Sequence, residues 1–171
     1  MNDIIILAMM LAGPRYGYEL KREAGWVAGQ GELHNNLVYP ALRRFLGGAW
    51  VTRKAVPGDR GQTRQQYALT AEGRRHVLQL VRDFSESDAA SESAFRLRVG
   101  LFEVLQPEER VSILQRREQY LAGRDERLAV LKDRMDLGRY GAEVVRQMRK
   151  QIELEQEWIH RLRRIARKEN E

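Results

Sequence analysis

HNNLVYPALRRFLG, residues 34–47, decides the fold. Its apolar residues recur at helical spacing, with Leu37, Ala41 and Phe45 four apart, which predicts one face turned to a core. Asn35 or Asn36 is suited to cap such a helix, because a short amide accepts from the unpaired N–H groups of a first turn. Pro40 is expected within about that first turn, where a missing N–H costs little and the fixed φ suits a helix. Asn36, Tyr39, Arg43 and Arg44 turn mostly away from the apolar face. Amides at a helix start, flanked by a phenol and guanidiniums, suit a DNA groove. Asn pairs bidentately with adenine and Arg with guanine, while Tyr or Arg holds phosphate. The bland alternative, an ordinary surface helix with a capping Asn, fits this segment alone as well.

The flanking segments give that helix its setting. NDIIILAMMLAG reads as a short, nearly all-apolar helix stopped by Gly13-Pro14. YGYELKREAGWVAG follows as a second helix with Leu20, Ala24 and Val27 on one face and Gly29 as its stop. After residues 34–47, WVTRKAV and RQQYALT read as two strands around the loop PGDRGQT. Thr70 then caps a fourth helix, TAEGRRHVLQLVRDF, with Glu72 in its first turn. Three helices, a hairpin and a helix are the order of a winged helix-turn-helix. Arg60 sits between glycines at the hairpin tip, with Arg53, Lys54 and Arg64 on its flanks. A glycine-rich tip bearing Arg reaches a minor groove or phosphates, and helix and wing together outweigh the bland reading.

Charge supports a polyanion partner for this half. Residues 1–84 hold 12 Lys and Arg against 7 Asp and Glu, while residues 85–171 hold 18 against 17. The excess therefore belongs to the first half. The 171 residues suit one large or two small domains, with 43% hydrophobic and 32% charged residues. There are no cysteines, which removes disulfide and thiolate chemistry and agrees with a reducing compartment. The apolar run over residues 4–12 is too short for a bilayer and lacks a basic start. A cytoplasmic protein without membrane contact is expected.

ILAMMLAGPRYGYEL, LVYPALRRF and QQYALTAEGRR, in this order, resemble the PadR family of bacterial transcriptional regulators. The matching positions are Gly17, Tyr18, Leu20, Tyr39, Pro40, Leu42, Tyr67, Leu69, Thr70 and Gly73. Phe45 replaces a common Leu. LGGAWV replaces a usual acidic stretch with Gly, leaving Gly47 and Gly48 to supply the turn and Trp50 to pack under the wing. The resemblance implies a DNA-binding repressor. With the residue readings above, it gives a DNA-contacting set of Tyr18, Asn35, Asn36, Tyr39, Arg43, Arg44, Arg60 and Arg64.

SESDAASES, residues 85–93, is small, polar and acidic and reads as a linker. It divides a winged helix-turn-helix domain, 1–84, from a helical domain, 94–171. In AFRLRVGLFEVL, residues 94–105, Phe95, Val99 and Phe102 form a stripe. Pro107, Glu108 and Glu109 then open a helix in which Leu114, Leu121, Leu128 and Met135 recur every seven residues. DLGRYG breaks it, and Val145, Met148, Ile152, Ile159 and Leu162 mark the last helix. Two long amphipathic helices with a short turn predict an antiparallel pair with apolar surface left for a second copy. The fold class is thus mainly α with a small β-hairpin wing, and the chain a homodimer on a palindromic site.

Phe95, Phe102 and Trp158 are candidates to line a pocket for a small aromatic or hydrophobic effector that releases the DNA. At helical spacing such residues are more often core. A regulator without any ligand is the second reading. A winged-helix protein-interaction module that binds no DNA is the third. Catalysis is not expected, and neither a metal nor a cofactor. His34, His76 and His160 are scattered, GDRGQT lacks a P-loop ending, and no G-x-S-x-G occurs.

Overall fold

The computed structural model describes residues 2–27, 34–58, 62–134 and 136–168. Gly29, Arg60 and Met135, all singled out above, lie outside them. The chain forms two compact units, residues 1–83 and 84–171.

In the first unit, α1 (Asn2–Ala8) buries Ile4, Ile5, Ile6 and Leu7. Turns lead to β1 (Arg15–Tyr16) and α2 (Gly17–Val27). Then come α3 (Asn35–Gly47), β2 (Val51–Pro57), β3 (Thr63–Leu69) and α4 (Ala71–Arg82). The hairpin β2–β3 is antiparallel from Val51↔Leu69 to Pro57↔Thr63. Strand β1, only two residues long, is not among the elements expected from the sequence. It pairs antiparallel with β3 through Arg15↔Tyr67 and Tyr16↔Gln66, giving a sheet of order β1-β3-β2. Two residues carry no periodicity, so only tertiary pairing reveals such a strand.

Four local expectations are corrected. Val27 is exposed, and the buried face of α2 is Leu20, Ala24 and Gly25 with Gly17. Leu37 is exposed too, and α3 instead buries Val38, Ala41, Leu42 and Phe45. The cap of α3 is His34 without a side-chain bond, so Asn35 and Asn36 lie inside the first turn and do not cap it. Pro40 is the sixth helical residue, one or two residues later than either asparagine cap would put it.

After α3 the left-handed residue is neither Gly47 nor Gly48 but Ala49, with φ of 55°. The main chain folds back there, with Trp50 N–H donating to the Phe45 carbonyl at 2.9 Å and Ala49 N–H to that of Leu46 at 3.1 Å. This wrap satisfies carbonyls that the helix end leaves open.

In the second unit the expected linker is folded. Residues 86–90 form α5 (Glu86–Ala90), and α6 (Glu92–Val99) starts at once. Ser85 and Asp88 make a reciprocal capping box, and Ser91 caps α6 through the N–H of Ala94 at 3.2 Å. The serines and acids that read as linker are helix-start residues. A 3-10 turn (Phe102–Val104) interrupts the stripe expected across 94–105. The long helices α7 (Pro107–Arg134) and α8 (Gly138–Lys168) follow. Gly138, at φ of +58°, makes the turn between them. Leu114 and Leu121 of α7 are buried, as are Val145, Ile152, Ile159 and Ala166 of α8 at intervals of seven. Antiparallel register is fixed by Arg117 with Glu155 and Arg149 with Asp125.

Candidate nucleic-acid interface

The buried residues of α3 define its exposed side. At about 100° per residue, Asn36, Pro40, Arg43 and Gly47 fall opposite Val38, Ala41, Leu42 and Phe45. Asn35, Asn36 and Arg43 are exposed, and so is Tyr39 on one flank. On the other flank Arg44 is engaged: its Nη2 donates to both carboxylate oxygens of Asp3 at 2.9 Å.

Residues that begin α2, line α3 and end the wing meet in space. A Cβ on Gly17 would lie 3.3 Å from the Tyr39 ring and 3.5 Å from the Tyr67 ring. Tyr67 is buried, while Tyr18 is exposed and stacks on Tyr16 with ring centroids 5.8 Å apart. At the wing's end Thr70 does three things. Its N–H donates to the Trp50 carbonyl at 3.0 Å, its hydroxyl donates to the Ala49 carbonyl at 2.8 Å, and its oxygen accepts from Gly73 N–H at 2.9 Å. Gly73 is pressed so close that a Cβ there would sit 1.9 Å from the Trp50 oxygen. The Trp50 ring stacks on His76 of α4 at 3.6 Å and lies 6.0 Å from the Phe45 ring.

These contacts give physical reasons for glycine, tyrosine and threonine at motif positions. Residues 6–79 match the model of the transcriptional regulator PadR-like family. The N-terminal unit belongs to this family. Among solved structures, the chain is similar to Bacillus subtilis PadR in complex with operator DNA. The two are 14% identical over 96% of this chain and 98% of that one, with a TM-score of 0.46. It is also similar to a transcriptional regulator from Clostridium thermocellum, at 21% identity, 52% and 86% coverage and a TM-score of 0.45. Halobacterial RosR (H. salinarum) gives 26%, 59% and 86%, with a TM-score of 0.42. No curated protein matches the chain. The PadR-like family comprises transcriptional regulators, not enzymes.

The wing of the PadR-like unit carries exposed Arg53 and Lys54 on β2 and half-buried Arg64 on β3. Gly58 N–H donates to the Gln62 carbonyl at 2.7 Å and closes the described base of the loop. Arg60 lies outside the described residues.

The candidate effector residues separate. Phe95 is wholly buried and meets Trp158 edge-on at 5.6 Å and Phe84 at 6.3 Å. It is a core residue, as helical spacing favours. Phe102 lies in the 3-10 turn. Trp158 alone of the three lines a cavity of about 320 Å³ in the helical unit. The other walls of that cavity were not anticipated: Arg96, Arg117 and Arg124 with Glu92 and Glu155, beside Leu121, Met148 and Ile152. Arg117 is the centre of this unit. It is 1% exposed, donates to both oxygens of Glu155 at 2.8 Å and to the Ala89 carbonyl at 2.6 Å. One arginine among several in a long charged helix gives no sequence signal of burial. Elsewhere on the pair, the Arg149 guanidinium bonds Asp125 and holds its carboxyl below the usual range, with burial opposing and charge attraction assisting.

Among the described residues no helix is long and apolar enough to cross a membrane, and no three His, Asp or Glu cluster to hold a metal ion.

Proposed function

We propose that the chain is a sequence-specific DNA-binding repressor that acts as a homodimer on a palindromic operator. The observation that carries this reading is the exposed strip of α3, Asn36 and Arg43 with Tyr39 beside it, directly opposite the buried face. Asn36 and Arg43 read base edges. Tyr39, Asn35, Tyr18, Arg64 and Arg60 position the unit on phosphates or a minor groove. Exposed Val130, Leu131, Val144, Leu154 and Ile165 on α7 and α8 supply the apolar surface for a second copy. The cavity beside Trp158, walled by arginines as well as apolar side chains, is where a small effector would bind to release the DNA.

The test is selection of bound sites from random duplexes by the wild type and by Asn36→Ala. The wild type should select inverted half-sites about one helical turn apart. Because Asn36 does not cap α3, its removal should leave the melting temperature unchanged. It should relax preference at one base pair per half-site by roughly 1–3 kcal/mol. An unaltered selected site would remove Asn36 from base reading. Failure to select any site would leave the protein-interaction module as the better reading.

A further inference from the structure

Arg43 and Arg44 are neighbours in sequence with opposite fates. Arg43 points along the exposed strip. Arg44 lies about 100° further round the helix, where Asp3, in the first turn of α1, takes its Nη2 with both oxygens at 2.9 Å. The guanidinium also rests 5.8 Å from the centre of the Phe45 ring. Both partners stay open to solvent, with side chains 57% and 44% exposed, so an approaching phosphate meets the pair and not a lone cation. The dipole of α1 favours an acid at its start. That explains an Asp on α1 but not why its carboxylate embraces a cation of α3.

We infer that Asp3 is a specificity-determining residue of the proposed DNA interface: by occupying Arg44 it withholds one phosphate-binding cation of α3 and so weakens binding to random sequence more than to the operator. The inference rests on the DNA-binding reading. Phosphate neutralisation releases counterions and is blind to sequence. On random DNA the unit settles wherever its cations find phosphates, so each available cation adds affinity. On an operator the strip through Asn36 and Arg43 fixes the helix against the bases, and Arg44 stands off that strip. Specificity is the difference between the two affinities, and lowering the blind one raises it. The pair is exposed and therefore weak, which makes Asp3 a bias on Arg44 and not a lock.

The experiment compares full-length wild type, Asp3→Asn, Arg44→Gln and the double variant. Each is titrated with the selected operator and with a random duplex across a range of salt. Asp3→Asn should tighten random-duplex binding and steepen its log–log salt slope by about 0.9 for each half-site, narrowing the operator-to-random ratio. In the Arg44→Gln background the same change should do nothing, because the effect passes through Arg44. An unchanged slope in Asp3→Asn overturns the inference. So does an equal gain without Arg44, which would make Asp3 a simple repellent of phosphate. Melting curves accompany each variant, and Asp3→Ser replaces Asp3→Asn if the latter loses the fold. A wild type that binds no duplex fells the DNA-binding reading and this inference together. A wild type that binds, with an unmoved slope, fells the inference alone.

Discussion

The two units are held together by different kinds of fit. In the PadR-like unit single atoms decide: Gly17 against the Tyr39 ring, and Gly73 against the Trp50 carbonyl. In the helical unit a repeat decides, with apolar side chains every seven residues on α8. Its exceptions are guanidiniums, which reach the α5 region from two helices. Arg116 donates to the Phe84 carbonyl at 2.6 Å, Arg117 to that of Ala89, and Arg98 lies 3.5 Å from the Asp88 carboxylate. A fit of single atoms fixes residue identity at a position. A repeat fixes only residue class. The first unit is therefore recognisable as a family and the second only as an architecture.

The comparison can be broken at its strongest points. Arg117→Ala strands the Glu155 carboxylate and the Ala89 carbonyl, and should cost about 3–5 kcal/mol. Hydrogen exchange should speed up in α5, α7 and α8, while α1–α4 keep their protection. Arg117→Met with Glu155→Leu should recover most of that loss, since a matched apolar pair removes the buried guanidinium together with its half-buried partner charge. If the double variant is no better than the single, the guanidinium is needed for its bond to Ala89 rather than for the ion pair.

Gly73→Ala is the counterpart in the first unit. The Cβ must displace the Trp50 carbonyl or α4, at about 3 kcal/mol, the upper end of the overpacking range. Exchange should now quicken in β2, β3 and α4 and leave α7 and α8 alone. Equal loosening of both units would show that they do not hold independently.

A gain is expected at Ala49. An L-residue in the left-handed region costs roughly 1–2 kcal/mol, and glycine gives part of this back through chain entropy. Ala49→Gly should raise stability by about 0.5–1 kcal/mol in denaturant titration. No gain would mean that the turn is not strained at φ of 55°.

The smallest effect belongs to Asp125. Its pair with Arg149 is about one-third exposed on each side, so Asp125→Asn should cost only about 0.5 kcal/mol at neutral pH. The folded carboxyl titrates below its usual range because Arg149 bonds the charged form. Its contribution is present above the unfolded value of about 3.9 and lost as pH falls through the depressed folded value. The melting-temperature difference between wild type and variant should shrink to nothing on that acid side. A constant difference would assign the effect to packing.

How much was legible follows from these two kinds of fit. The helices of the first unit in their order, the hairpin strands and the long antiparallel pair were readable, because each is a run with its own period. Thr70 was readable as a cap because capping is local. Leu37 misled because spacing by four is satisfied by Leu37-Ala41-Phe45, but Val38 and Leu42 set the centre of the buried face. Asn35 and Asn36 misled as caps because the helix starts one residue earlier, at His34, which caps with backbone alone. The segment 85–93 misled because Ser and Asp serve loops and helix starts equally. The exposed strip with Asn36 and Arg43 was legible, whereas the capture of Arg44 by Asp3 joins residues 41 positions apart and leaves no local trace.

The pairing of β1 with β3 also sets an order in time. Residue 15 must wait for residue 67 before the sheet gains its third strand. On a growing chain, α1, α2 and α3 are all complete before that partner exists. The apolar face of α3 therefore spends part of synthesis without the sheet that closes the unit. In the helical unit the two long helices wait only for each other, although Phe95 waits for Trp158, 63 positions on. The chain that links α7 to α8 is a few residues long, and neighbours in sequence are the ones that pair, the arrangement that folds fastest. The sheet of the half made first is thus expected to close by a slower route than the pairing of α7 with α8.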